Sequence, residues 1–261
     1  MNKQILVIAR KEVVDHFRET RSLLASLMHL WLGPAIVLLM AFSPAVRGNS
    51  RGATVLTAMM AIFTLVAAFT GGMNIAMDVV AGERERHSLL PLLLTPVSRA
   101  GVVLGKWLGV CAFSLSGLAV TLFGFFISER FLGVANPLFD RPALLRWVLL
   151  GLVPLAFFAA AVQVGISTAT RTAKEAHTYL SLLIFLPMGV AMFLVFFVKD
   201  PGFWAFLPIA GQQAIVQTGL STGHWSISQA LILALMTVWC TAATLALTSK
   251  LLERDDIVYG S

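Results

Sequence analysis

Apolar runs long enough to cross a bilayer alternate with short charged intervals along this chain, and that alternation predicts nearly all of its elements. Six such runs stand at 24–46, 53–77, 107–127, 147–170, 179–198 and 227–249, each near the roughly 20 residues a membrane helix needs. Ahead of them, residues 2–24 follow another rhythm. Leu6, Ala9, Val13, Phe17 and Leu24 recur at helical spacing with charges on the other faces, the pattern of an amphipathic helix. Such a helix rests on the cytoplasmic leaflet, and its polar face is also free to touch a cytoplasmic partner.

Two intervals break the rhythm. Between the second and third runs, Gly82 to Arg99 reads GERERHSLLPLLLTPVSR. Gly82 closes the preceding run, and Glu83, Arg84, Glu85 and Arg86 are expected to put alternating charge in water. Leu89, Leu90, Leu92, Leu93 and Leu94 then supply an apolar patch, and Pro96 stops the segment. A short helix of this kind lies in the interface or plugs into a soluble partner; the rest of the chain favours the second. The other interval, 200–225, carries Phe203, Trp204, Phe206, Leu207 and Ile209 broken by Pro201, Pro208, Gly211 and Gly223. It predicts one or two short helices dipping into the outer leaflet, with Trp147, Trp204 and Trp225 near the outer interface.

Composition agrees. Of 261 residues, 58% are hydrophobic and 12% charged, where a soluble domain carries roughly 25% charge. The net charge of +6 does not point to nucleic acid, because the basic residues flank the apolar runs. Of the Lys and Arg, only Arg47, Arg51, Arg130, Arg141, Arg146 and Lys199 fall on one side of the alternation. The excess on the other side places both termini and the Gly82 segment in the cytoplasm. The first 25 residues contain no clean hydrophobic core of a cleavable signal.

Catalytic chemistry finds no footing. His16, His29, His87, His177 and His224 are never three or four apart, and HExxH and GxSxG are absent. Cys111 and Cys240 lie inside apolar runs and read as packing residues, with no metal site or disulfide indicated. GVVLGKW imitates a phosphate-binding loop but has one residue too few, and Trp107 follows Lys106 where a hydroxyl should hold magnesium. Gly101, Gly105 and Gly109 form a stripe that lets another helix approach, inside the subunit or across a dimer. Thr70, Asn74 and Gln163 are polar at membrane depth and either line an inner path or bond between helices. Asp78, near the cytoplasmic end of the second run, can reach water.

The stretch AGERERHSLLPLLLTPVSRAGVVLGK resembles the segment after the second span in ABC-2 type permeases, in particular their sodium-extrusion, NatB-like branch. The opening IARKEVVDHFRETRSLL and the closing LLERDDIVYG are similar to that family's termini, and FLPIAGQQAIVQTGL matches its outer loop more loosely. The resemblance implies an all-α, polytopic fold of six transmembrane helices, shared with the G-type (type V) ABC exporters. It implies a multi-pass protein of a bacterial or archaeal cytoplasmic membrane, paired with a second copy or a paralogue. Each permease would rest on a cytoplasmic ATPase that carries the ATP and magnesium, this chain holding no cofactor. Glu83 to Leu94 would be the coupling helix, with Glu83, Arg84, Glu85, Arg86, His87, Leu89, Leu92 and Leu93 as its coupling residues, and 2–24 the connecting helix. Two departures stand out. His87 occupies a place where the family often has Gly, and Leu90 one where it often has an acid. Arg47 to Gly52 makes only a turn where many NatB-like members carry a sizeable outer domain, so the sodium substrate is not carried over. Two other classes compete with an exporter subunit: an ATP-independent carrier or channel, and an ABC-type subunit relaying ATPase state to a periplasmic partner. The first should show repeated halves and midplane binding residues, which the sequence lacks; the second has little outer surface to work with.

Overall fold

The computed structural model describes residues 3–18, 20–43, 50–132, 147–198, 202–222 and 226–254, and among these every regular element is helical. Residues 44–49, with Arg47 to Asn49 of the expected turn, lie outside the described residues, as do the cations Arg141, Arg146 and Lys199, Trp225 and the tail from Asp255; Ser50 to Gly52, expected to finish that turn, begin a helix instead. The amphipathic α1 (Lys3–Arg18) leads into α2 (Thr20–Ala41), which keeps Pro34 inside it. The second apolar run is built from α3 (Ser50–Thr70) and α4 (Met73–Met77), parted at Gly71 and Gly72. A π-turn over Asp78–Gly82 then joins the single turn α5 (Glu83–Glu85). The sequence closed this run at Gly82; the winding instead continues without interruption to Glu85. Helix α6 (Leu89–Leu93) is one turn long.

Helix α7 (Arg99–Leu132) has 34 residues; at 1.5 Å per residue it is about 50 Å long and overruns a hydrocarbon core of about 30 Å. A π-turn at Val148–Leu152 opens α8 (Val153–Ala169), as Pro154 removes one donor from its first turns. Then come α9 (Ala173–Leu183) and α10 (Phe185–Phe197), parted at Ile184 because Pro187 cannot donate to the carbonyl four residues back. A 3-10 turn at Gly202–Phe206, α11 (Ala210–Thr222) and α12 (Ile227–Leu251) complete the order.

Five of the described helical stretches are long and apolar enough to cross a membrane: Val55–Glu85, Arg99–Ser128, Val148–Ala169, Ala173–Val195 and Ile227–Leu251. Leu30–Ala41 of α2 is a shorter apolar helix. Helix α7 is the central post, touching α1, α2, α3 and α8, while α12 lies along α8. Two apolar clusters divide the interior. One gathers Leu30, Leu65, Phe69, Phe125, Leu152 and Leu233; the other gathers Ile75, Val79, Leu89, Val110, Val164 and Leu252 around the charged segment. The backbone at the end of α3 comes close to that of α7 at Gly71 and Gly117, where a Cβ on Gly117 would stand 2.7 Å from the Gly71 Cα.

Candidate functional site

The run Glu83-Arg84-Glu85-Arg86 is short, yet each of its first three side chains engages a different helix. Glu83 is only 5% exposed, against the expectation that it stands in water. Its two oxygens receive Lys11 Nζ of α1 at 2.8 Å and Lys106 Nζ of α7 at 2.7 Å. The fully buried Lys106 also reaches Glu12 Oε1 at 2.9 Å and the Val79 carbonyl of the π-turn. An ammonium has three donors, and here Glu12, Glu83 and Val79 take one each. Two carboxylates and two ammonium groups thus bind α1, α5 and α7 together; Glu12, Glu83 and Lys106 are buried, where losing one partner is costly, while Lys11 is half-exposed. Burial pushes the Glu12 carboxyl above the ordinary carboxylate range; Lys106 pulls it back and Glu83 adds to the rise. Burial also draws Lys11 down, but the adjoining Glu83, Glu12 and Asp15 outweigh it and hold Lys11 above the ordinary lysine value.

Arg84 turns the other way. Its guanidinium donates to the Thr168 carbonyl at 2.9 Å and to the Thr170 carbonyl, the orphan acceptors at the end of α8. A cation at a helix C-terminus satisfies those carbonyls and meets the negative end of the dipole. Close by, Ser167 Oγ accepts from the Val80 and Ala81 amides at 3.2 and 3.1 Å, so a hydroxyl of α8 serves the amides of the π-turn. Glu85 Oε2 accepts from the Ala173 amide at 3.0 Å, at the start of α9. Thr172 caps the same helix, its side chain accepting from the Glu175 amide. Here too the reading of exposed charge is corrected: Arg84 is half-buried, and Glu85, though exposed, is engaged.

Beyond Glu85 the chain turns outward. Arg86 makes only a 3.7 Å pairing with Asp78, and His87 has φ 56°. That is the left-handed region in which glycine is favoured. The leucines do not form one docking face. Leu89 is 2% exposed in this chain's own core, Leu92 and Leu93 are half-buried, and Leu94 is 82% exposed. The expected helix from Glu83 to Leu94 is therefore two single turns broken at Arg86 to Ser88. Downstream, Arg99 donates to the Leu252 carbonyl and closes the end of α12 as Arg84 closes α8.

The glycine stripe receives α1. A Cβ on Gly105 would stand 2.7 Å from Ile8 Cβ, one on Gly109 2.9 Å from Glu12 Cβ, and one on Gly101 3.8 Å from Ile5 Cγ1. Between α1 and the charged segment lies a cavity of about 340 Å³, lined chiefly by Lys11, Asp15, His16, Asp78, Arg86 and Ser88. Thr70, Asn74 and Gln163 do not line it. Gln163 is buried and its amide donates to the Phe69 carbonyl, bonding α8 to α3; Thr70 bonds its own helix at Ala67. Sequence reasoning missed Lys106, Lys11 and Glu12. The usable signal was the register of Glu12, four residues after Ile8 on the buried face of α1, and a lone lysine opening an apolar run.

The family described as ABC-2 family transporter protein matches residues 6–257. ABC transporter permease protein NatB of Bacillus subtilis is 37% identical over 157 residues, which is 57% of this chain and 39% of that protein. Probable ABC transporter permease protein NosY of Pseudomonas aeruginosa is 34% identical over 108 residues, 40% of this chain and 38% of its own length. The matched segments thus span about two fifths of these curated relatives.

Proposed function

This chain belongs to the ABC-2 family of transporter proteins, a membrane permease component of an ABC transporter, and from that premise we propose that it is the spanning subunit of an ATP-driven exporter. In this reading α2 supplies a sixth crossing beside the five long apolar helices, and both termini face the cytoplasm. A separate cytoplasmic ATPase binds ATP and magnesium and docks on the exposed turn from Arg86 to Leu94. A second copy, or a paralogue, completes the path across the cytoplasmic membrane.

The observation that supports this most is the division of labour within the charged segment. Arg86, His87 and Leu94 are turned outward, whereas Glu83, Arg84 and Glu85 are tied to α1, α7 and the ends of α8 and α9. A partner that pushes on the outer turn acts on four helices at once. Force needs a connection between a docking surface and the spans it rearranges, firm at the buried Glu83 ion pairs to α1 and α7 and able to yield at the exposed Glu85 bond to α9.

The test is purification of the chain from its native host in mild detergent, with identification of co-purifying soluble proteins and an ATPase assay. A stoichiometric partner with a phosphate-binding loop, lost in an Arg86→Glu, Leu94→Asp variant that still inserts, is the expected result. A lone oligomer without ATPase activity would sink the reading and return attention to a carrier.

A further inference from the structure

A cavity of about 340 Å³ lies between the amphipathic helix α1 and the charged segment, with Asp15 and His16 on one side and Asp78, Arg86 and Ser88 on the other. Two ionic links cross that gap. Lys11 reaches Glu83 directly at 2.8 Å, and Glu12 reaches it through Lys106, which stands on α7 and also grips the Val79 carbonyl. All three donors of the Lys106 ammonium are used, one on α1 and two on the continuous winding that runs from the π-turn into α5.

We propose that Lys106 is a positioning residue that clamps α1, the π-turn and the head of α7 into one body with the coupling segment, so that α1 travels with that segment when the ATPase moves it. The inference rests on the exporter reading above. The glycine stripe supplies the other half of the clamp. With no side chains at Gly101, Gly105 and Gly109, α1 lies close enough on α7 for Glu12 to meet Lys106. A neutral residue at 106 cannot replace the ammonium, because two carboxylates would share a buried site without their common counter-charge. Arginine does not fit either, since its donors are coplanar and its larger group exceeds the compact ammonium that this fully buried site holds.

The experiment uses the complex with its co-purified ATPase in nanodiscs, with Cys111 and Cys240 replaced by Ala. Spin labels at Gln4→Cys and Thr95→Cys read the distance from α1 to the coupling segment, and labels at Thr95→Cys and Lys174→Cys read the segment against α9. In the otherwise unaltered complex, ATP should shift the Thr95 to Lys174 distance and leave the Gln4 to Thr95 distance unchanged. In Lys106→Gln with Glu12→Gln, which removes one charge of each sign, the Gln4 to Thr95 distance should broaden and shift with ATP. Lys11→Met with Glu12→Gln should do the same while leaving the Lys106–Glu83 pair in place, and it serves if the first variant fails to assemble. A role in stability alone would change yield or melting without making this distance respond to nucleotide. Movement of Gln4 relative to Thr95 in the unaltered complex would overturn the clamp while leaving the exporter standing. Failure to recover any ATPase would overturn the exporter reading, and transmitted motion with it.

Discussion

Arg84 Nη2 donates to the Thr168 carbonyl at 2.9 Å, so a residue just beyond the second apolar run seals the end of a helix 84 positions later. The same guanidinium takes the Thr170 carbonyl. Arg84→Ala should free both acceptors and lower stability by about 1–2 kcal/mol, the scale of charge-assisted hydrogen bonds at a half-buried site. Arg84→Lys should recover only part, because one ammonium does not reproduce the fork. Thermal unfolding in detergent, followed by intrinsic fluorescence, orders the three proteins.

Lys106 and Lys11 both bond Glu83, but Lys106 is fully buried while the Lys11 side chain is half-exposed. Lys106→Met should therefore cost about 3–5 kcal/mol, the range for leaving a buried charge uncompensated. Lys11→Met should cost no more than about 1 kcal/mol, because Lys11 is itself half-exposed and Glu83 keeps Lys106. Equal losses in a side-by-side melt would contradict the geometry.

His87 holds φ 56°, which costs a residue with a Cβ roughly 1–2 kcal/mol. His87→Gly should raise stability by up to about 1 kcal/mol after the extra chain entropy of glycine. His87→Val should lower it, since a branched Cβ tolerates the left-handed region least. The pair of variants separates backbone strain from any loss of the imidazole.

Gly105 leaves no room for a larger residue beside Ile8. Gly105→Val should lift α1 from α7, seen as faster tryptic cutting after Arg10 in nanodiscs. Combining Gly105→Ala with Ile8→Gly should restore part of the protection relative to Gly105→Ala alone, because the second change removes both the Cβ and the Cγ2 that the new methyl would strike.

Glu12 titrates above the ordinary carboxylate value of 4.5, mainly through burial. The folded state therefore holds its proton more tightly than the unfolded state does. The stability that Glu12 contributes relative to Glu12→Gln should be greatest below about pH 4.5 and decline as pH rises through its raised value. Melting both proteins across that window checks the sign; a difference that grows with pH would contradict it.

The sequence by itself determined the class of molecule. Bilayer-length apolar runs allow few structures besides spanning helices, since backbone groups must bond within their own segment; α7, which extends past its run of 107–127 at both ends, α8 and α12 each hold one such run. The break of the fifth run at Ile184 and the left-handed turn at His87 were not read from the pattern, which gave 179–198 as one run and Glu83 to Leu94 as one helix. The amphipathic rhythm of α1 and the glycine stripe were each readable alone, without saying that one receives the other.

Only the tertiary structure decided which charges meet water. Glu83, Arg84, Glu85 and Arg86 are alike in type and adjacent in sequence, so periodicity cannot tell a docking residue from a buried ion pair. Their roles depend on partners far along the chain: Lys11 and Lys106 for Glu83, the end of α8 for Arg84, the start of α9 for Glu85. The π-turn at Asp78–Gly82 rotates that run relative to the helix before it and gives its freed amides to Ser167. A rotation of that kind follows from packing between helices, which leaves no mark in the order of residues along one of them.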